Sequence, residues 1–378
     1  MTESQIRPYR VDIPQADLDD LVARLNFTRW PEEVEGAGAD YGMPLAVVRR
    51  FADRWCDGFD WRAAEARLNE FPQFTTTIDG ENIHFLHVRS PEPDATALLL
   101  LHGWPGSVVE FLDMIGPLTD PRAHGAPDAP AFDVVVPSLP GYGFSGPTTQ
   151  RGWDSARMAA AFASLMARLG YGRWGAVGGD AGALVGRELG ILAPAGLIGL
   201  HLLQIFAFPS GDPDEMAGLS DVDIQSLQGA TSEFQEKSGY ADIQRKRPGT
   251  LAFALTDSPA GVLAWNAELW TGWGRWAEFT NVDTYLTHTS IYWLTRTSGS
   301  SARHYFEDNR SGAGYREVSN NVPTALAVFP EDFRTIRAFA ARSNNIVRYT
   351  EFEEGGHFAY TTHPTLVVED VRAFFGSL

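Results

Sequence analysis

The chain is poor in cysteine, in positive charge and in long apolar stretches, and each shortage narrows its class. Cys56 is the single cysteine among 378 residues. No internal disulfide can form, which fits a reducing compartment and a cytoplasmic protein. Lys and Arg number 30 against 48 Asp and Glu, a formal net charge of −18. That balance argues against nucleic acid and against anionic membranes as partners. No run approaches the ~18 apolar residues of a membrane span. The opening MTESQIRPYRVDIPQADLDD lacks the apolar core of a signal peptide. Repeats and low-complexity blocks are missing too. With 44% hydrophobic residues, the chain is long enough for a large core plus one or two accessory parts.

What is present follows an alternating pattern. Residues 1–92 read as an N-terminal part of their own. Leu18, Leu21, Val22 and Leu25 form one helical stripe, and Leu45, Val48, Phe51, Ala52 and Trp55 form a second that opens at Pro44. Trp61 to Leu68 suggests a third helix. Thr75 to Ile78, the Asp79-Gly80 turn and Ile83 to Val88 read as a hairpin, with His84 and His87 as structural strand histidines. From 93 to 208, apolar runs at 95–101, 132–137, 174–177 and 198–208 alternate with helical patterns at 108–118 and 158–169. Such runs suit strands buried on both faces of a parallel sheet, so a doubly wound α/β fold is expected. Residues 209–300 break the pattern. They are helical and hold five of the eleven tryptophans, Trp265, Trp270, Trp273, Trp276 and Trp293, which reads as a lid over a pocket. Sheet resumes in 301–378, at 323–329 and 346–352, before a last helix at 366–375.

The stretch RWGAVGGDAGALVGRELG, residues 173–190, reads as strand, sharp turn and helix. Gly178 and Gly182 flank Asp180 at a spacing that leaves room for a strained turn residue. This is the pattern of a nucleophile elbow, G-x-S-x-G, with aspartate at the tip. G-x-D-x-G by itself is also an ordinary loop. Two later segments supply partners for a nucleophile: Phe329-Pro330-Glu331-Asp332 after one strand, and Gly355-Gly356-His357-Phe358 after the last. Nucleophile, acid, histidine is the chain order of an α/β-hydrolase. The run His102-Gly103-Trp104-Pro105 fits a loop whose Trp104 N–H would join that of Ala181 in an oxyanion hole, though it also fits a plain connector.

Aspartate at the tip changes the chemistry. A carboxylate with an ordinary pKa of about 3.9 is already ionised at neutral pH. It can displace a leaving group at an sp³ carbon and form an ester of the enzyme itself. Water activated by His357 then cleaves that ester by attack at the Asp180 carbonyl. Epoxides and haloalkanes both suit this plan.

The segments HGWPGS, GGDAG, SGYADIQ, SSARHYFEDN, FPED and GGHF together resemble the epoxide hydrolases of the microsomal type, within the α/β-hydrolase superfamily. RPYRVDIP, FTRWP and IDGENIHFLHVRS extend the resemblance over the N-terminal part. It implies a mostly parallel sheet with a helical lid insertion and an N-terminal meander domain. It implies Asp180 as nucleophile, His357 as base and Asp332, rather than Glu331, as the acid. It also implies two lid tyrosines that polarise the epoxide, matching Tyr240 and Tyr305. No cofactor and no metal is expected; the partners are an epoxide and water, and a homodimer is compatible with an N-terminal segment that wraps its own lid or a neighbour's. One departure stands out. The family carries tryptophan after the nucleophile where this chain has Ala181, so a wider pocket floor and a bulky or aryl epoxide are expected. Relatives in antibiotic biosynthesis, of the enediyne type, offer a weak parallel. A dehalogenase with the same triad, or a ligand receptor of the same fold without activity, are the alternatives.

Overall fold

The structure is a computed structural model and describes residues 5–272 and 281–378. Trp273 and Trp276 lie outside the described residues.

The N-terminal part opens with strand β1 (Arg7–Tyr9) and helices α1 (Gln15–Asn26), α2 (Leu45–Cys56) and α3 (Trp61–Leu68). α2 is entered through Pro44 as the spacing predicts, and Asp60 caps α3 by accepting from the Ala63 N–H. The hairpin β2 (Gln73–Ile78) and β3 (Glu81–Val88) turns at Asp79-Gly80, both at positive φ. His84 is fully buried and bonds Ser138 Oγ and Gln73 Oε1; His87 bonds Tyr171. Both are structural.

The core then alternates strand and helix: β4 (Thr96–Leu101), α4 (Leu112–Thr119) after a 3-10 turn at Val108–Phe111, β5 (Phe132–Pro137), α5 (Ser155–Arg168), β6 (Trp174–Gly178), α6 (Ala181–Leu192) and β7 (Leu197–Leu202). Leu98 to Leu101 are wholly buried, because helices cover the sheet on both faces. The lid comprises α7 (Pro213–Ala217), α8 (Asp221–Lys237), α9 (Gly239–Lys246), α10 (Pro248–Asp257), α11 (Pro259–Trp270), α12 (Val282–Leu294) and α13 (Ser298–Ser311). α13 runs through position 300, and sheet returns only at β8 (Asn320–Val328). Helix α14 (Arg337–Ala340), strand β9 (Asn344–Glu351), and helices α15 (Ala359–Thr362) and α16 (Pro364–Phe375) complete the chain.

Nine described strands form one sheet in the order β1-β2-β3-β5-β4-β6-β7-β8-β9. The pairs from β5 to β9 are parallel, and the N-terminal meander adds three antiparallel strands at the β5 edge. This is the α/β-hydrolase fold.

The N-terminal helices pack on the lid of their own chain. Leu21, Leu25, Phe51 and Trp55 share a buried cluster with Val262, Leu263, Tyr285 and Trp293. Arg54 grips Asp283 with two bonds of 2.9 and 2.6 Å, and Trp55 Nε1 donates to Ser290 Oγ. These two helices thus clamp the lid from outside. Among the described residues no helix is long and apolar enough to cross a membrane.

Candidate active site

Asp180 stands between β6 and α6 with φ 51 and ψ −122, a conformation that costs an L-residue energy. The surrounding glycines explain why the turn can close. A Cβ on Gly178 would lie 2.4 Å from the Gly182 carbonyl oxygen, and one on Gly182 would lie 2.0 Å from that of Leu101. Only glycine fits either position. Asp180 caps the N-terminus of α6, where the first amides lack helical partners. Ala181 provides the first of them and is 4% exposed.

The His102-Gly103-Trp104-Pro105 loop leaves β4 beside this elbow. Trp104 N–H donates to Asp180 Oδ1 at 2.7 Å. His102 orders the loop: its Nδ1 meets the Gly103 carbonyl and its Nε2 accepts from Leu139 N–H. The Trp104 indole is buried and stacks on Tyr240, with ring centres 5.5 Å apart and planes at 9°. Tyr305 meets the same indole edge-on at 5.7 Å, and the two tyrosine rings are 6.2 Å apart. α9 and α13 therefore bring both tyrosines to the His102-Gly103-Trp104-Pro105 loop. Burial, and then the negative charge of Asp180, raises the pKa of Tyr240; burial, Tyr240 and Asp180 raise that of Tyr305. Both phenols stay protonated donors at neutral pH.

Opposite them, His357 follows β9. Its Nδ1 lies 2.7 Å from Asp332 Oδ1 and its Nε2 lies 3.6 Å from Asp180 Oδ2. Burial alone would lower its pKa; the charge and hydrogen bond of Asp332, with the charge of Asp180, outweigh this and raise it to about 9. Asp332 Oδ1 also accepts from Phe333 N–H. Glu331 is exposed, and its backbone bridges to Gly356 beside the histidine. The acid facing His357 is Asp332.

Two buried polar residues outside any motif also reach this cluster. Gln204, 1% exposed just past β7, accepts from Asp180 N–H at 2.7 Å and donates to Asp332 Oδ2. One amide thus ties the elbow to the acid. Its only sequence signal is a polar residue inside the apolar run 198–208. Glu110 is buried in the turn after the oxyanion loop; a lone acid between Val109 and Phe111 was the available hint. On the lid side, Trp270 stacks on Phe358 at 3.8 Å, next to His357. Trp265 donates to Gln244 and Trp293 packs against the N-terminal helices. These tryptophans build the lid. Among the described residues no group of His, Cys, Asp and Glu is arranged to hold a metal ion.

A carboxylate at an elbow tip, a half-buried acid–histidine pair behind it and two phenols beside the Trp104 loop form one cluster. Known proteins narrow the class. The family model for the epoxide hydrolase N terminus matches residues 6–111, and that for the alpha/beta hydrolase fold matches residues 96–364. A Stigmatella aurantiaca protein provisionally named an epoxide hydrolase is 43% identical over 99% of this chain and 85% of its own. Epoxide hydrolase 1 of Sus scrofa is 32% identical, covering 100% of this chain and 90% of the relative. The crystal structure of juvenile hormone epoxide hydrolase from the silkworm Bombyx mori superposes with a TM-score of 0.91 at 29% identity, over 99% of this chain and 94% of that one. The chain belongs to the epoxide hydrolase family of the α/β-hydrolase fold.

Proposed function

We propose that the protein hydrolyses an epoxide to a vicinal diol through an alkyl ester on Asp180. The observation that carries this reading is the placing of His357 between Asp332 and Asp180, at 2.7 and 3.6 Å, with Trp104 N–H on the Asp180 oxygen that does not face the histidine. Asp180 Oδ2 attacks a ring carbon. The ring C–O bond breaks, and the oxygen takes a proton from Tyr240 or Tyr305. The ester removes the charge from Asp180, the proton affinity of His357 falls with it, and the imidazolium releases its proton to solvent. The imidazole then takes a proton from water, whose oxygen adds to the Asp180 carbonyl carbon. The Trp104 and Ala181 N–H groups receive the oxyanion. Collapse breaks the ester bond, the departing alkoxide takes the proton from His357, and the acid proton on Asp180 returns to the tyrosinate. Epoxide and water in, diol out; the charge back on Asp180 draws a proton from solvent onto His357, and every group is restored.

A bulky or aryl epoxide suits the small Ala181 beside the nucleophile, and the Ala-, Gly- and Arg-rich composition extends the proposal to an epoxide of antibiotic biosynthesis, of the enediyne type. A cytoplasmic setting fits the single cysteine. The two phenols favour an epoxide over a haloalkane, because a halide leaves without a proton.

A single turnover of excess enzyme on an aryl epoxide in ¹⁸O-water tests the mechanism. Label is expected in Asp180 and hardly at all in the first diol. Label only in the diol would mean direct attack by water and would overturn the ester route.

A further inference from the structure

Glu110 is a carboxyl that these steps leave unused. It lies in the 3-10 turn Val108–Phe111 and is 5% exposed. Its head group presses on the oxyanion loop: a Cβ built on Gly106 would stand 1.4 Å from Glu110 Oε1. Gly106 N–H closes that loop on the Gly103 carbonyl at 3.1 Å. The same loop touches the nucleophile, since a Cβ on Gly103 would stand 2.6 Å from Asp180 Cβ. Glu110 and Asp180 therefore bracket one four-residue turn.

Tyr360 reaches the same place from the other side. It sits three residues past His357 on α15 and is 1% exposed. Its ring centre is 4.7 Å from that of Phe111, next to Glu110, and its edge lies 2.9 Å from a Cβ built on Gly179, next to Asp180. Its hydroxyl has no hydrogen-bond partner among the described residues. A buried hydroxyl without a partner costs stability unless it serves something. Burial, and then the Glu110 charge, raises its pKa, so the two groups sense one another. Burial, and then the Asp180 charge, pushes the Glu110 carboxyl up to about 8, against the pull of His357 and of a hydrogen bond from the Gly103 backbone. At neutral pH it is an uncharged acid with one donor and one free acceptor.

We propose that Glu110 and Tyr360 hold the water that His357 deprotonates, so that Glu110 serves cleavage of the Asp180 ester and not its formation. This rests on the two-step reading above. A water held for attack needs partners beyond the base that activates it. An uncharged carboxyl and a phenol can supply them on the elbow side of Asp180, with the lid tyrosines and the epoxide on the other. A neutral Glu110 also adds no second negative charge next to the nucleophile.

The test is rapid-quench mass spectrometry of the full-length enzyme with an aryl epoxide, following the rise and decay of the alkyl adduct at pH 7. In Glu110→Ala the adduct is expected to form within about threefold of the wild-type rate and to decay at least ~10-fold more slowly, so that it accumulates. Glu110→Gln keeps an uncharged donor and acceptor and is expected to restore most of the decay rate. Tyr360→Phe removes one hydroxyl from a preserved ring, and is expected to slow decay alone; it carries the test if Glu110→Ala does not fold. Rise and decay slowed in proportion would mean that Glu110 merely shapes the turn, and would overturn the assignment. An unchanged decay in Glu110→Ala or Tyr360→Phe would overturn it as well. If the wild-type enzyme gives no adduct in pre-steady state and no ¹⁸O in Asp180, the two-step reading itself fails.

Discussion

Removing the charge of Asp180 should loosen the proton on His357. In the free enzyme the imidazole sits between two carboxylates, and its pKa of about 9 lies well above the ordinary 6.5. That rise corresponds to roughly 3 kcal/mol in favour of the charged ring. Asp332 provides the larger part, by its closer approach and its hydrogen bond, and Asp180 the smaller. Asp180→Asn copies the loss of charge that esterification brings. It should weaken proton binding at His357 about tenfold, and Asp332→Asn should weaken it about a hundredfold. NMR titration of the His357 ring, assigned by difference against His357→Gln, measures both. The sign has a consequence for stability. A histidine with a raised folded pKa contributes its full stabilisation below pH 6.5 and loses it as pH rises through about 9. The stability gap between wild-type and Asp332→Asn should therefore shrink across that window. An unchanged His357 titration in Asp180→Asn would refute the idea that the ester itself frees the base. A larger effect from Asp180→Asn than from Asp332→Asn would refute the assigned order of the two carboxylates.

Gly182→Ala drives a methyl to 2.0 Å from the Leu101 carbonyl oxygen, so denaturant unfolding should show a loss of about 3 kcal/mol or more. Tyr305→Phe and Tyr240→Phe should each slow adduct formation about tenfold and the double variant at least about a hundredfold, with little change in adduct decay; equal slowing of both phases would place the phenols elsewhere in the cycle. Ala181→Trp should depress kcat/KM for bulky epoxides more than for small ones, and an equal loss on both would end the case for a widened floor.

The local devices of this chain were legible before folding. The elbow could be read because backbone approach within 3 Å demands glycine at Gly178 and Gly182, whatever surrounds them. Helix α2 opened at Pro44, whose fixed φ suits a helix start. His357 could be picked out because it alone followed a strand with two glycines before it. Gln204 and Glu110 escaped because each looks like a polar interruption in an apolar run until its partners arrive from distant segments. The motif SSARHYFEDN shows the same limit. Tyr305 turns to Trp104 and Tyr240. His304 and Asp308, on the adjoining stripe of α13, turn into the core and bond Tyr142 and Ser155. Neighbouring stripes of one helix thus meet different partners, and packing sets which stripe meets which.

The sequence by itself determined the class of fold, the strand–turn–helix around Asp180 and the order of acid and histidine, because periodicity, glycine sterics and chain order are local properties. Tertiary structure decided that Asp332 and not Glu331 faces His357, that Gln204 joins elbow to acid, and that the N-terminal helices clamp their own lid. Those are matters of distance between residues far apart in the chain. Hydrogen bonds and ion pairs fall off over a few ångströms, so they exist only once the sheet has brought its strand ends together.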